Sequence, residues 1–285
     1  MSAKTLISFA SSNISKAPQR FRAQAEALGV FDEIIIHDEY SLDEDFRRRH
    51  AGQLKSHVRG FGYWAWKPQI IAQTMKMMDQ GELLCYCDIG CHLNPAGRPR
   101  LLEYLAMLEK TANGMLAFQR KKTATNLAFD DRHYAELTDH QWTKGDVLRY
   151  FDVVGYREIT HTPTVGAGII FFRKNALSEH VVSRWLEAIN ADFSLVDDSP
   201  SASANLPGFV EHRHDQALFS ILAKLHQVKT LSAYEYWYPD RQHPDLPDWT
   251  MLQNHPFHAR RDLELSLINR LMLEYNSVKK KLREI

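Results

Sequence analysis

Residues 85–94 read CYCDIGCHLN and hold all three cysteines of the chain, with Asp88 and His92 among them. Sulfur, carboxylate and imidazole together suggest zinc. Structural zinc sites, however, favour C-x2-4-C pairs with a second pair well downstream. Here the spacing is C-x-C-x3-C with no second pair, and no C-x-x-C redox motif is present. Cysteine packs readily as a small apolar side chain, so Cys85, Cys87 and Cys91 are expected to fill core. Asp88 is the residue with chemistry. It ends an apolar run and precedes Ile89-Gly90, a turn, where a carboxylate is costly to bury unless a cation or hydrogen bonds compensate. It could ligate a metal, attack a phosphoryl group, accept a ribose hydroxyl, or cap the turn.

Other polar groups carry two readings each. Lys67, in GYWAWKP, could offer a point charge to phosphate at a helix start, or cover Trp64 or Trp66 with its stem. Arg59 is a weaker candidate for the same role, or a solvated side chain. In WTKGD, Lys144 and Asp146 could meet a sugar nucleotide; equally, Thr143 and Asp146 could form a capping box. In EHRHDQ, His212, His214 and Asp215 could share a metal only in a loop, because positions two apart diverge on a helix. Asp215 could also cap that helix, and Gln216 on a buried face would need partners such as sugar hydroxyls. Tyr236 and Trp237 in YEYWYP could stack against a sugar ring or pack as core.

The positioning elements follow from periodicity. TLISFA (5–10), EIIIH (33–37), ELLCYCD (82–88), MLAF (115–118) and VGAGIIFF (165–172) read as buried strands. Ser15 is expected to cap a helix carrying Phe21, Ala25 and Leu28 and stopping at Gly29. A second helix is expected to carry Pro68 in its first turn and stop at Gly81, with others over 177–190, 214–226 and 262–283. The β-α-β opening predicts a mostly parallel sheet, and open sheets bind ligands at the carboxyl ends of their strands. The small-residue stretch 197–208, DDSPSASANLPG, is expected to be a mobile lid. Residues 234–258 have too little periodicity to assign.

At 285 residues the chain can bury one large α/β core. Thirty-five basic and thirty-five acidic residues balance, which gives no general electrostatic reason to bind nucleic acid. No apolar run approaches the roughly 20 residues of a membrane span. An odd, low cysteine count suits the reducing cytoplasm. The last helix, with Lys279, Lys280, Lys281 and Arg283, is expected to be a surface helix or a weak tether to the anionic inner face of the membrane.

Taken in order, these motifs resemble bacterial glycosyltransferases of the GT-A fold that build surface polysaccharide, distantly the glycogenin and lipopolysaccharide-galactosyltransferase type. The resemblance covers about residues 4–260. It implies a Rossmann-like α/β domain over 1–260, with a mixed, mostly parallel sheet, and a C-terminal amphipathic helix over 261–285. In that fold an Asp-x-Asp motif holds a divalent cation, Mn2+ or Mg2+, on the donor diphosphate; here it reads Asp88-Ile89-Gly90, with one carboxylate fewer. The resemblance implies Asp88 with His255 or His258 as cation ligands, and donor contacts from Ser8, Lys67, Asp88, Gly90, Lys144 and Asp146. It further implies acceptor contacts from Gly166, Tyr236 and Trp237, with Asp215 and Gln216 acting around the anomeric carbon. The expected reaction moves a hexose from a UDP-sugar to a lipid-linked O-antigen or capsule glycan, with a tilt towards retention. A non-catalytic nucleotide- or sugar-binding module and an aspartate-dependent phosphotransferase are the alternatives.

Overall fold

The computed structural model describes residues 2–121, 137–240 and 246–262. Six strands form one sheet: β1 (Lys4–Phe9), β2 (Glu33–His37), β3 (Leu83–Cys87), β5 (Met115–Gln119), β6 (Val165–Arg173) and β7 (Lys229–Ser232). Their order is β2-β1-β3-β6-β5-β7, with β6 antiparallel to both neighbours and every other pairing parallel. A two-residue ribbon, β4 (His92–Leu93) with β8 (Phe257–His258), stands apart. The mixed, mostly parallel α/β sheet agrees with the expectation.

Side-chain alternation along β3 sorts the core into two layers. Cys85 and Cys87 pack with Phe21, Leu28, Tyr104 and Leu108, from helices α1 (Ala17–Leu28) and α3 (Arg98–Glu109). Leu84 and Tyr86 face the opposite layer, with Ile70, Ile71, Trp185 and Leu218. Those four belong to α2 (Trp66–Met77), α4 (Ala176–Ala191) and α5 (His214–Leu225). Asp88 therefore inherits the Tyr86 side, where α2 and α5 begin. All three cysteines are buried and free, and burial pushes the thiols of Cys85 and Cys87 well up, as expected of core filler.

Several expectations on element ends are corrected. The N-cap of α1 is Lys16, not Ser15, and no side chain caps it; Pro18 supplies the start, while Gly29 ends the helix in the left-handed region. Helix α2 ends at Met77, with an extended Met78 as C-cap, before Gly81. Thr143 and Asp146 form no capping box, because Lys144 is the N-cap of the turn Gly145–Tyr150 and Asp146 faces elsewhere. Residues 197–205 are tied down rather than free as a lid. Asp146 accepts from the N–H groups of Ala202 and Ser203, Asn205 accepts from Gly145 N–H, and the Lys144 ammonium donates to the carbonyls of Asp197 and Ser199. Strand β7 and helix α3 were not anticipated. Residues 263–285, and with them the expected basic C-terminal helix, lie outside the described residues.

Candidate functional site

Lys67 is delivered by an unusual turn. Five consecutive residues, Gly60, Phe61, Gly62, Tyr63 and Trp64, have positive φ between 53° and 92°. Left-handed backbone costs a non-glycine residue about 1–2 kcal/mol, and strain of this kind persists where surrounding packing over-determines it. Phe61 lies 5.8 Å from the Phe9 ring, and Trp66 stacks on Phe9 at 3.9 Å. The Trp66 indole N–H donates to Gly60 O at 3.0 Å. Tyr63 and Trp64 flank the His214 imidazole at 5.1 and 5.7 Å. The turn thus locks the start of α2 against the carboxyl ends of the strands and the start of α5.

From there the Lys67 ammonium reaches two carboxylates and a carbonyl. It lies 2.7 Å from Asp215 Oδ2 and 3.5 Å from Asp88 Oδ1, and donates to Ala167 O at 3.0 Å. Tyr86 OH donates to Asp88 Oδ1 at 2.5 Å, and its ring lies 5.0 Å from the ammonium. The side chains of Lys67 and Asp215 are 3% and 6% exposed, that of Asp88 41%. One carboxylate is thus enclosed while the other faces the exterior. Burial would strip Lys67 of its proton, yet Asp215 and Asp88 raise its pKa overall. Burial drives the Asp215 carboxyl up to about 6; Lys67 opposes this and Asp88 reinforces it. Burial and Asp88 hold the Tyr86 phenol protonated as a donor. With both carboxylates ionised, the trio carries one positive and two negative charges.

Backbone closeness fixes the rest. Asp88 N–H donates to Gly168 O at 2.8 Å, and a Cβ on Gly168 would stand 2.9 Å from Asp88 Oδ2. A Cβ on Gly90 would stand 3.1 Å from Arg261 Cα, and Asp262 N–H donates to Gly90 O at 3.0 Å. The chain at Arg261, itself at φ 56°, occupies the space a second carboxylate of an Asp-x-Asp motif would need.

The other expected residues fall in different places. The Ser8 hydroxyl is buried and donates to Cys87 O at 2.6 Å, tying β1 to β3 rather than facing the opening. Lys144 is buried beneath the 197–199 segment. Asp146 holds residues 202 and 203, whose N–H groups outweigh burial and lower its pKa. Gly166 is covered by Tyr236, whose hydroxyl would be 2.9 Å from an added Cβ. Tyr236 is not on a strand: a 3-10 turn over Ala233–Glu235 precedes it, and its ring packs on Phe118. Trp237 lies under the Arg120 guanidinium at 5.6 Å. Gln216 follows Asp215 in the first turn of α5 and is half-buried. Arg59, read as solvated, approaches Glu211 at 3.3 Å and Asp198 at 3.9 Å.

The expected cation set does not assemble. His258 Nε2 meets Leu252 O at 2.9 Å and its ring stacks on Trp249; His255 lies 3.7 Å from Glu235. Asp88 has no second carboxylate at position 90, and Lys67 and Tyr86 engage its Oδ1. Among the described residues no three His, Cys, Asp or Glu side chains gather as metal ligands. His212 and His214 do not form a joint metal site either. They turn to the carbonyls of Leu195 and Val196, and burial lowers the pKa of both, to about 4 for His214.

Sequence reasoning missed Tyr86, although its parity with Asp88 on β3 was available. It also missed His214 as a spacer between the left-handed turn and Asp215.

No protein-family profile matches the chain, and no curated protein matches it in sequence. Solved structures with a similar chain trace include mouse xyloside xylosyltransferase 1, at 11% identity and TM-score 0.43, covering 83% of this chain and 87% of that one. The bifunctional glycosyltransferase WbbM is similar at 11% identity and TM-score 0.44, covering 82% and 39%. The galactosyltransferase LgtC, in complex with donor and acceptor sugar analogues, is similar at 12% identity and TM-score 0.36, covering 81% and 74%.

Proposed function

We propose that the chain is a glycosyltransferase that uses a nucleoside-diphosphate sugar, with the Lys67–Asp88–Asp215 junction at its centre. The observation that carries this reading is one buried ammonium bridging two carboxylates from separate elements, at the edge where open sheets bind nucleotides. The enclosed Asp215, ionised above about pH 6, is the group to orient donor sugar and acceptor hydroxyl together with Gln216. The exposed Asp88 is the group to meet the donor from its other side. Lys67 fixes the spacing of the two carboxylates, and Tyr86 fixes the rotamer of Asp88. Because the cation ligand set does not assemble, no role in this scheme is given to a divalent ion.

In the finer reading, the donor is UDP-galactose or UDP-glucose and the acceptor a lipid-linked O-antigen or capsule glycan, transferred with retention of anomeric configuration. Tyr236 and Trp237 would line the acceptor side. An aspartate-dependent phosphotransferase would need an acid two residues beyond Asp88, where the chain has Gly90.

The test is release of UDP from a panel of UDP-sugars, with and without glycan acceptors, by wild type and by Asp88→Asn and Asp215→Asn. Turnover by wild type and its loss in both variants is expected. UDP binding with no turnover of any sugar nucleotide would leave a binding module, and aryl-phosphate hydrolysis lost in Asp88→Asn would favour the phosphotransferase.

A further inference from the structure

We infer that the donor's diphosphate is held by a guanidinium cluster, Arg120, Arg213 and Arg261, in place of a divalent cation. This rests on the reading of the junction as a sugar-nucleotide site. A diphosphate would meet a junction whose charges sum to minus one and be repelled unless other cations stand near it. Three arginines are carried by segments that meet the same edge of the sheet: Arg120 just after β5, Arg213 at the start of α5, and Arg261 against Gly90.

Arg120 directly follows β5, and its guanidinium lies over the Trp237 ring. Arg213 is the N-cap of α5, two residues before Asp215, and is held 4.2 Å over the Trp142 ring. Arg261 brings its backbone against Gly90, in the space of the missing metal carboxylate, so a cation-bearing residue replaces a cation-binding one. Among the described residues no carboxylate lies within salt-bridge distance of these three, unlike Arg59 and Arg100, which have Glu211 and Glu235.

Their mutual electrostatic influence supports one shared mouth. Burial lowers the Arg213 pKa, and Arg261, Arg59 and Arg120 lower it further, with Glu211 opposing. Burial raises the Tyr236 phenol to about 12, where Arg120 and Arg261 pull it down and Asp88 pushes it up. Tyr236 therefore feels two of the arginines and Asp88 at once. Guanidinium groups stacked on aromatic rings keep their N–H edges free, and those edges match phosphate oxygens two at a time. Three unpaired guanidinium groups around a net negative junction suit a diphosphate whose sugar end points at Asp215.

The probes are UDP and inorganic pyrophosphate, titrated calorimetrically into the full chain in excess EDTA. Both are expected to bind, with affinity falling as salt rises. Arg261→Ala, at an exposed side chain, and Arg120→Gln are each expected to weaken UDP about tenfold, as for loss of one charge-assisted pair. Arg213→Lys keeps the charge and loses the fork, and is expected to weaken UDP less than Arg213→Gln does. Melting temperatures near wild type for Arg261→Ala and Arg213→Lys separate binding from folding. Binding of UDP only when Mn2+ is added, or affinities in EDTA that none of the substitutions changes, would overturn the cluster even if sugar transfer is found. Arginine-dependent binding in EDTA with no sugar transfer would leave the cluster standing and remove the transferase reading instead.

Discussion

Among the described residues, two lysine–aspartate pairs with both side chains of the pair largely enclosed are built to opposite ends. Lys224 on α5 contacts Asp139 and donates to the carbonyls of Ile159 and Thr162 at 2.8 and 2.9 Å. Asp139 also accepts from the hydroxyls of Ser220 and Thr143. Every polar atom there finds a protein partner, and the pair ties the short helices of residues 139–160 to α5. At the other end of the same helix, Lys67 serves two carboxylates, and one of them faces out. Burial raises the carboxyl of both Asp139 and Asp215 against the pull of a lysine. Only at Asp215 does a second carboxylate add to the rise. A closed cage reads as structure; an open one, with charge left over, reads as a place for a ligand.

Breaking the closed pair is expected to have the largest effect. Lys224→Met leaves Asp139 buried and uncompensated, and should remove about 3–5 kcal/mol of stability in chemical denaturation. A loss under about 1 kcal/mol would erase the contrast, because an exposed pair behaves that way. The open pair should respond in activity instead. Asp88→Asn is expected to cut sugar-nucleotide turnover at least ~100-fold, within the range for displaced acid–base or positioning groups, while its melting temperature stays near wild type.

The pH dependence sharpens the comparison further. Asp215 has a folded pKa of about 6, above its ordinary 3.8. Between these values the folded chain holds a proton that the unfolded chain has released, so stability falls as pH rises through the interval. The fall, on the order of 3 kcal/mol, should be complete just above pH 6 and absent in Asp215→Asn, as read from denaturant midpoints at pH 4 to 7. An unchanged slope in that variant would assign the dependence to other groups. The smallest expected effect is at Asp146, whose carboxylate only fastens a loop. Asp146→Ala should cost about 1–2 kcal/mol, with loss of amide-exchange protection confined to residues 199–205. Lost turnover in that variant with the loop still protected would restore Asp146 to the donor site.

Much of the frame was legible because burial leaves a periodic trace. The runs at 33–37, 115–118 and 165–172 became strands, and 177–190 and 214–226 became helices, within a residue or two at their ends. The cysteines were readable as core by elimination. Strand β7 was not, because KTLS is a half-exposed edge strand with no apolar run. Helix α3 was missed because Pro95, Gly97 and Pro99 mask its start, although its buried positions 101, 104, 105 and 108 do follow a helical period. Lys144 and Asp146 misled because a lysine and an aspartate beside tryptophan look the same whether they grip a ligand or a neighbouring loop.

By itself the sequence determined that Asp88 ends a buried strand, that Lys67 and Asp215 start helices, and that position 90 lacks a carboxylate. These are local facts, carried by hydrophobic period and turn residues. Only the tertiary structure decided that the three charges meet, that Lys67 stands between the two carboxylates, and that Arg261 fills the space beside Gly90. The reason is that ion pairing spans residues 67, 88, 215 and 261, and no periodicity along the chain encodes a distance between segments that far apart. The sequence supplied the charged groups; the crossing of β3, α2 and α5 set which of them neutralise one another and which stay exposed.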